Sequence, residues 1–121
     1  MHSAKTVERL EQVIRVLEEL PKEKKLDMGQ WMTCGTIGCA IGWAASDPWF
    51  TRRGLKLVED WEDQKGKMTY VPVFRDEEDL DAVGAFFGLE WEDATALFGD
   101  IANGTKTRCQ VIHNIKRFIK G

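Results

Sequence analysis

The sequence predicts an α+β domain, mainly helical, with about five helices around a buried central helix and one small β-hairpin. Three observations carry this expectation. Both ends of the chain place apolar residues at three- and four-residue steps, which marks one face of a helix. Ile37 to Ala45 contains neither a charged nor a polar side chain, so no face of it suits water. Residues 54–74 alternate around Asp63-Gln64-Lys65-Gly66, whose chemistry suits a turn. A chain of 121 residues and 13.8 kDa has room for one domain, 1–121, with a real core and no disulfide staples. Hydrophobic residues at 43% and charged residues at 31% are ordinary globular usage and exclude disorder.

In order along the chain, Thr6 to Leu20 reads as an amphipathic helix. Val7, Leu10, Ile14 and Leu17 form its stripe, Ser3 or Thr6 its cap and Pro21 its stop. Leu26, Met28, Trp31 and Met32 form an apolar patch without a period. Thr33 to Asp47 is expected to be the central helix, capped by Thr33 or Thr36 and ended by Asp47-Pro48. Gly38 and Gly42, four residues apart within it, admit the close approach of another backbone, which offsets the roughly 1 kcal/mol by which each Gly disfavours a helix interior. Gly54 to Phe74 is the hairpin, with Pro72 restricting its strand to an edge or a bulge. Asp76 caps a helix through Phe87, which Gly88-Leu89 stops. A short helix, Trp91 to Phe98, ends at Gly99. Thr105 or Thr107 opens the last helix, with Val111, Ile112, Ile115, Phe118 and Ile119 as its stripe.

Charge and cysteine narrow the function. The net charge of −3 argues against a general nucleic-acid binder. It is unevenly spread: residues 1–54 carry +1, residues 55–100 carry −9 and residues 101–121 carry +5. The acidic middle and the basic last helix either attract one another within the fold or face a charged partner, the first reading being preferred. No apolar run approaches a membrane span, and the opening MHSAKTVERLEQ is charged and helical rather than signal-like, so a cytoplasmic protein is expected. Three Cys and no export signal argue against a structural disulfide.

Cys34 and Cys39, four residues between them, with Cys109 and His113 a turn apart, supply four ligands for a tetrahedral zinc site. Against it, structural zinc pairs more often sit two residues apart on a flexible knuckle. His113 also points away from the Val111/Ile115 stripe. The preferred reading is buried small hydrophobes, a surface His, and no metal or cofactor. Cys34-Gly35-Thr36 at a helix start could activate a thiol nucleophile, but a base is missing. His2 is expected at a frayed terminus, and nothing brings His113 to Cys34. The helices 77–87 and 91–98 suggest helix-turn-helix, yet Trp91-Glu92-Asp93 would set carboxylates against phosphates. A weak nucleic-acid contact through Lys106, Arg108, Lys116, Arg117 and Lys120 of the last helix is the remaining alternative. Asn103-Gly104-Thr105 reads as a turn. Five Trp and six Phe exceed what one small core obviously needs. Trp31 and Trp43 are assigned to the core, whereas Trp49, Phe50, Trp61 and Trp91 lie near element ends or among charges.

At CGTIGCAIGWA the sequence resembles a family of small, largely uncharacterised proteins of bacteriophages and bacteria. That family's pattern joins a leading amphipathic helix, an Asp-hydrophobic-x-x-Trp segment, C-G-T-x-x-C-x-x-G-W/x-A, a Gly-Leu, and F-F-G-L before a short Leu-Phe helix. Its counterparts here are Asp27-Met28-Gly29-Gln30-Trp31, Cys34 to Ala44, Gly54-Leu55, Phe86-Phe87-Gly88-Leu89 and Leu97-Phe98. The resemblance covers most of the chain, and the CGT-x-x-C-x-x-GW block is its specific part. Cys109 and His113 lie outside the pattern. It implies a phage- or mobile-element-like origin, no catalytic residue to carry over, and a protein that binds and blocks a host protein in the host cytoplasm. The expectation is a non-enzymatic protein-binding module, an inhibitor of a host or defence factor. Its partner-binding residues are Trp49, Phe50, Arg52 and Arg53, with Trp61, Glu62 and Asp63 as a second patch.

Overall fold

A computed structural model describes residues 2–21, 23–27, 31–33, 37–62, 64–99 and 107–121. Its elements run α1 (Ala4–Glu19), β1 (Lys25–Leu26), β2 (Met32–Thr33), β3 (Ile37–Gly38), α2 (Ala40–Ala44), α3 (Pro48–Thr51), β4 (Lys56–Glu62), β5 (Met68–Phe74), β6 (Glu77–Glu78), α4 (Asp79–Phe87), α5 (Trp91–Phe98) and α6 (Arg108–Lys120). The class is α+β, as expected. The sheet order is β1-β3-β2-β5-β4, and β6 also pairs with β5. β1 and β3 are parallel and the other pairings antiparallel.

The central helix is the main correction. The segment expected to be helical from Thr33 holds strand β3 first, and α2 spans only five residues with Cys39 as its N-cap. All five are buried, so the apolar stretch does occupy the core. Its glycines explain the change of structure. A Cβ at Gly42 would lie 1.7 Å from the Trp31 carbonyl oxygen, and one at Gly38 would lie 2.7 Å from it. The approaching backbone is therefore that of Trp31, whose carbonyl also accepts the Cys39 N–H at 3.2 Å. The backbone turns from strand to helix against this carbonyl, a geometry that one continuous helix would not allow.

The hairpin forms as β4 and β5, but Pro72 is on neither an edge strand nor the bulge. β5 is flanked by β4 on one side and by β2 and β6 on the other. Pro72 pairs with Leu57 of β4. On the opposite flank β2 pairs with Thr69 and Tyr70, and β6 with Val73 and Phe74. Pro72 sits in the interval between these two partners, where no ladder hydrogen bond is asked of it. The bulge lies in β4, between Glu59 and Glu62. Asp76 does not cap α4: Glu77 and Glu78 form β6, and Glu78 precedes the helix without a side-chain cap. Asp47 does more than end α2, since its carboxylate accepts the Trp49 N–H and opens α3.

The termini of other elements follow local chemistry. Gly88 stops α4 with φ 71°, and the Leu89 N–H reaches the Gly84 carbonyl. Thr107 and Gln110 form a capping box at α6. Five of the six phenylalanines (Phe50, Phe74, Phe86, Phe87, Phe98) form one chain of ring contacts through the core, with centroids 5.0–6.2 Å apart.

Three helix ends are closed by side chains from distant elements. The last carbonyls of α4 accept from α1: the Thr6 hydroxyl donates to Phe87 O at 2.6 Å and the Arg9 guanidinium to Phe86 O. Near the end of α1, the Leu17 and Leu20 carbonyls accept from Arg108 of α6. The Phe118 carbonyl of α6 accepts from the His2 ring, which also stacks on Phe118 at 4.2 Å. His2 is thus anchored rather than frayed. Among the described residues no ion pair joins the acidic middle to the basic last helix; Arg108 serves carbonyls instead.

Thr6 is the buried member of this capping system, 5% exposed. Thr6→Val keeps its shape but leaves the Phe87 carbonyl without its donor, so urea denaturation should show a loss of about 1–2 kcal/mol. Unchanged stability would mean that the hydroxyl contributes nothing to the helix end.

Candidate functional site

The first expected patch divides on folding. Phe50 is fully buried and contacts the rings of Phe86 and Phe87, so it is a core residue and not a partner contact. Trp49 is half-buried with its ring against Phe50, 4.9 Å between centroids. Arg53 is exposed, lies 3.7 Å over the Trp49 ring and donates to the Trp49 carbonyl at 2.8 Å. Arg52 is exposed.

Arg53 also lines a cleft of about 490 Å³ with Arg9, Lys56 and Arg75. These four cations come from α1, the turn after α3, the start of β4 and the turn after β5, and among the described residues no carboxylate lines the cleft. Burial and the nearby Arg53 and Arg75 charges pull the Arg9 guanidinium below its ordinary value, with Glu8 acting in the opposite direction. Sequence reading missed Arg9, Lys56 and Arg75. Arg75 next to Phe74 was a signal available, because an arginine beside a buried ring often stacks on it.

The second patch is the outer arm of the hairpin. Among the described residues β4 ends the sheet, with no strand on its far side. Of its seven residues only Leu57 is even half-buried, so both faces meet water. Trp61 is 57% exposed, and its carbonyl accepts the Thr69 hydroxyl at 2.8 Å, fixing the backbone that carries it. Glu59, Asp60 and Glu62 surround it and are exposed; Asp63 lies outside the described residues. The acidic field extends across the sheet. Asp79 is raised above the ordinary carboxylate range by partial burial and by the charges of Glu78, Asp60 and Asp81, a hydrogen bond to the Trp31 side chain opposing them. Trp91, 62% exposed before Glu92 and Asp93, repeats the pairing of an indole with carboxylates on α5.

The sulfur and imidazole residues are apart in role. Cys39 is 1% exposed and its Sγ accepts the Gly42 N–H at 3.4 Å, which makes it a cap. Burial pushes its thiol up to about 12. Cys109 is exposed and shares a shallow pocket of about 400 Å³ with His113 and Glu18. Among the described residues no three His, Cys, Asp or Glu side chains could hold a metal ion together; Cys34 lies outside them. No described helix is long and apolar enough to cross a membrane.

Compared with protein-family models, curated proteins and solved structures, the chain matches none.

The two described thiols should separate cleanly. At pH 8 an alkylating reagent should label Cys109 readily and Cys39 only after unfolding, read by peptide mass spectrometry; rapid native labelling of Cys39 would contradict its buried capping role. The Cys39 thiol lies higher in the folded chain than its unfolded value of about 8.5. Its contribution to stability is therefore complete below about pH 8.5 and is lost as pH rises toward 12. Cys39→Ser should fall less steeply over that window than the parent.

Proposed function

We propose that the chain is a non-enzymatic protein-binding module that captures a partner with a basic surface through the β4 arm and occludes it. The observation that carries this reading is Trp61, 57% exposed on a strand with both faces and one edge open, among Glu59, Asp60 and Glu62. An exposed indole supplies contact area at small entropic cost, and binding hot spots are rich in tryptophan. The surrounding carboxylates attract a basic partner and steer its approach. They also act against the wrong partner. Two β4 edges brought together would oppose like charges, and the bulge between Glu59 and Glu62 interrupts a regular edge, so self-pairing is disfavoured.

The resemblance to small phage and bacterial proteins supports a host or defence factor as the partner, met in the host cytoplasm. The arm replaces the Trp49 patch as the main contact, because Trp49 and Phe50 are committed to packing. Arg52 and Arg53 remain exposed beside it in sequence and serve a different charge.

Trp61→Ala should weaken capture of the partner from host lysate about tenfold or more, as expected for an aromatic anchor. The double variant Glu59→Lys, Glu62→Lys should do the same and lose the salt dependence. Melting temperatures should barely move, since these side chains are exposed. Capture equal to the parent by both variants would contradict the arm as the binding surface.

A further inference from the structure

We propose that the cleft formed by Arg9, Arg53, Lys56 and Arg75 binds a small phosphate-bearing ligand, a site separate from the acidic arm. Four observations converge on it. Four cations line a space of about 490 Å³, a volume suited to a small molecule, within a chain of net charge −3. Among the described residues, none of the four forms an ion pair with a carboxylate. Like charges gathered in one cleft repel one another, with Glu8 acting against this at Arg9, and an anion entering the cleft reverses that energy.

The third observation is orientation. Arg9 lies 4.0 Å from the centroid of Phe86, Arg53 3.7 Å from that of Trp49 and Arg75 4.9 Å from that of Phe74. Arg9 and Arg53 are further held by backbone carbonyls, of Phe86 and Trp49. These contacts restrict the three arginine side chains before a ligand arrives, so less side-chain entropy remains to be lost on binding. Arginine forks match the oxygens of a phosphate in pairs, and several of them suit a group carrying two or more negative charges.

The fourth observation sets the size of the ligand. Lys56 begins the strand whose other end carries Glu59, Asp60, Trp61 and Glu62. An extended polyanion running along the hairpin from the cleft would meet those carboxylates. A compact anion avoids them.

The test is calorimetric titration of the full chain with inorganic pyrophosphate, with a sodium chloride control at equal ionic strength. The parent should bind saturably, with an accompanying rise in melting temperature absent from the chloride control. Arg53→Gln and Arg75→Asn should each weaken binding about tenfold, the loss of one charge-assisted contact. Arg117→Gln, on α6, should not. Melting curves without ligand show whether each variant is folded, and Lys56→Gln on the exposed strand supplies a third variant if one of them is not. ADP and a single-stranded oligonucleotide are compared in parallel. ADP binding at least as tightly as pyrophosphate extends the site to nucleotides. Absence of saturable binding, equal weakening by Arg117→Gln, or a preference for the oligonucleotide that survives Arg53→Gln overturns the proposal.

Discussion

The Trp31 carbonyl seated against Gly38 and Gly42 is the constraint on which the fold depends. The space for it exists only because both positions lack a side chain, as the 1.7 Å and 2.7 Å separations of a hypothetical Cβ show. The carbonyl is not left orphaned in the interior, because Cys39 N–H donates to it and extends the β2–β3 pairing by one bond. Neighbouring contacts brace the same point. Asp27 N–H reaches the Gly38 carbonyl at 2.9 Å, and the Trp43 indole donates to Lys25 O at 2.9 Å. Sheet and helix are therefore joined through backbone, with α2 enclosed on all sides.

From that junction outward, the helices lock one another by their ends. α1 closes α4, α6 closes α1, and the N-terminal His2 closes α6. The Phe86, Phe87 and Leu20 carbonyls gain a side-chain donor in this way, while the Leu17 and Phe118 carbonyls, which already accept the Leu20 and Gly121 N–H groups, gain a second; each contact spans a long sequence separation. A body held in this way supports two outward features of opposite charge on one hairpin. The base of the hairpin carries Lys56 and Arg75 beside Arg9 and Arg53, and the far part of β4 carries the acidic arm with Trp61. Rigid neighbours keep these charges apart, which matters because merging them would neutralise both.

What the sequence made legible was local. The Gly88-Leu89 stop, the Trp91–Phe98 helix, the Thr107 cap and the β4–β5 hairpin all rest on residues within a few positions of each other. The glycine pair was legible as a notch, although its occupant was not. Central helix length was misjudged because an apolar run with Gly38 and Gly42 fits a helix as well as a strand followed by a turn. The two-residue strands escaped because their partners, rather than their composition, define them. Phe50 was misplaced for a similar reason: it is followed in sequence by the exposed Thr51, Arg52 and Arg53, while its neighbours in space include Phe86 and Phe87. The Trp61 patch was visible as an indole amid carboxylates, whereas the arginine cleft draws on four separate elements and has no sequence spacing at all.

The most direct test of the central junction is the unfolding free energy of Gly42→Ala. Steric exclusion by the Trp31 carbonyl predicts a loss of about 3 kcal/mol or more, or failure to fold. A variant equal to the parent, or more stable by the roughly 1 kcal/mol that alanine gains over glycine in a helix, would contradict it.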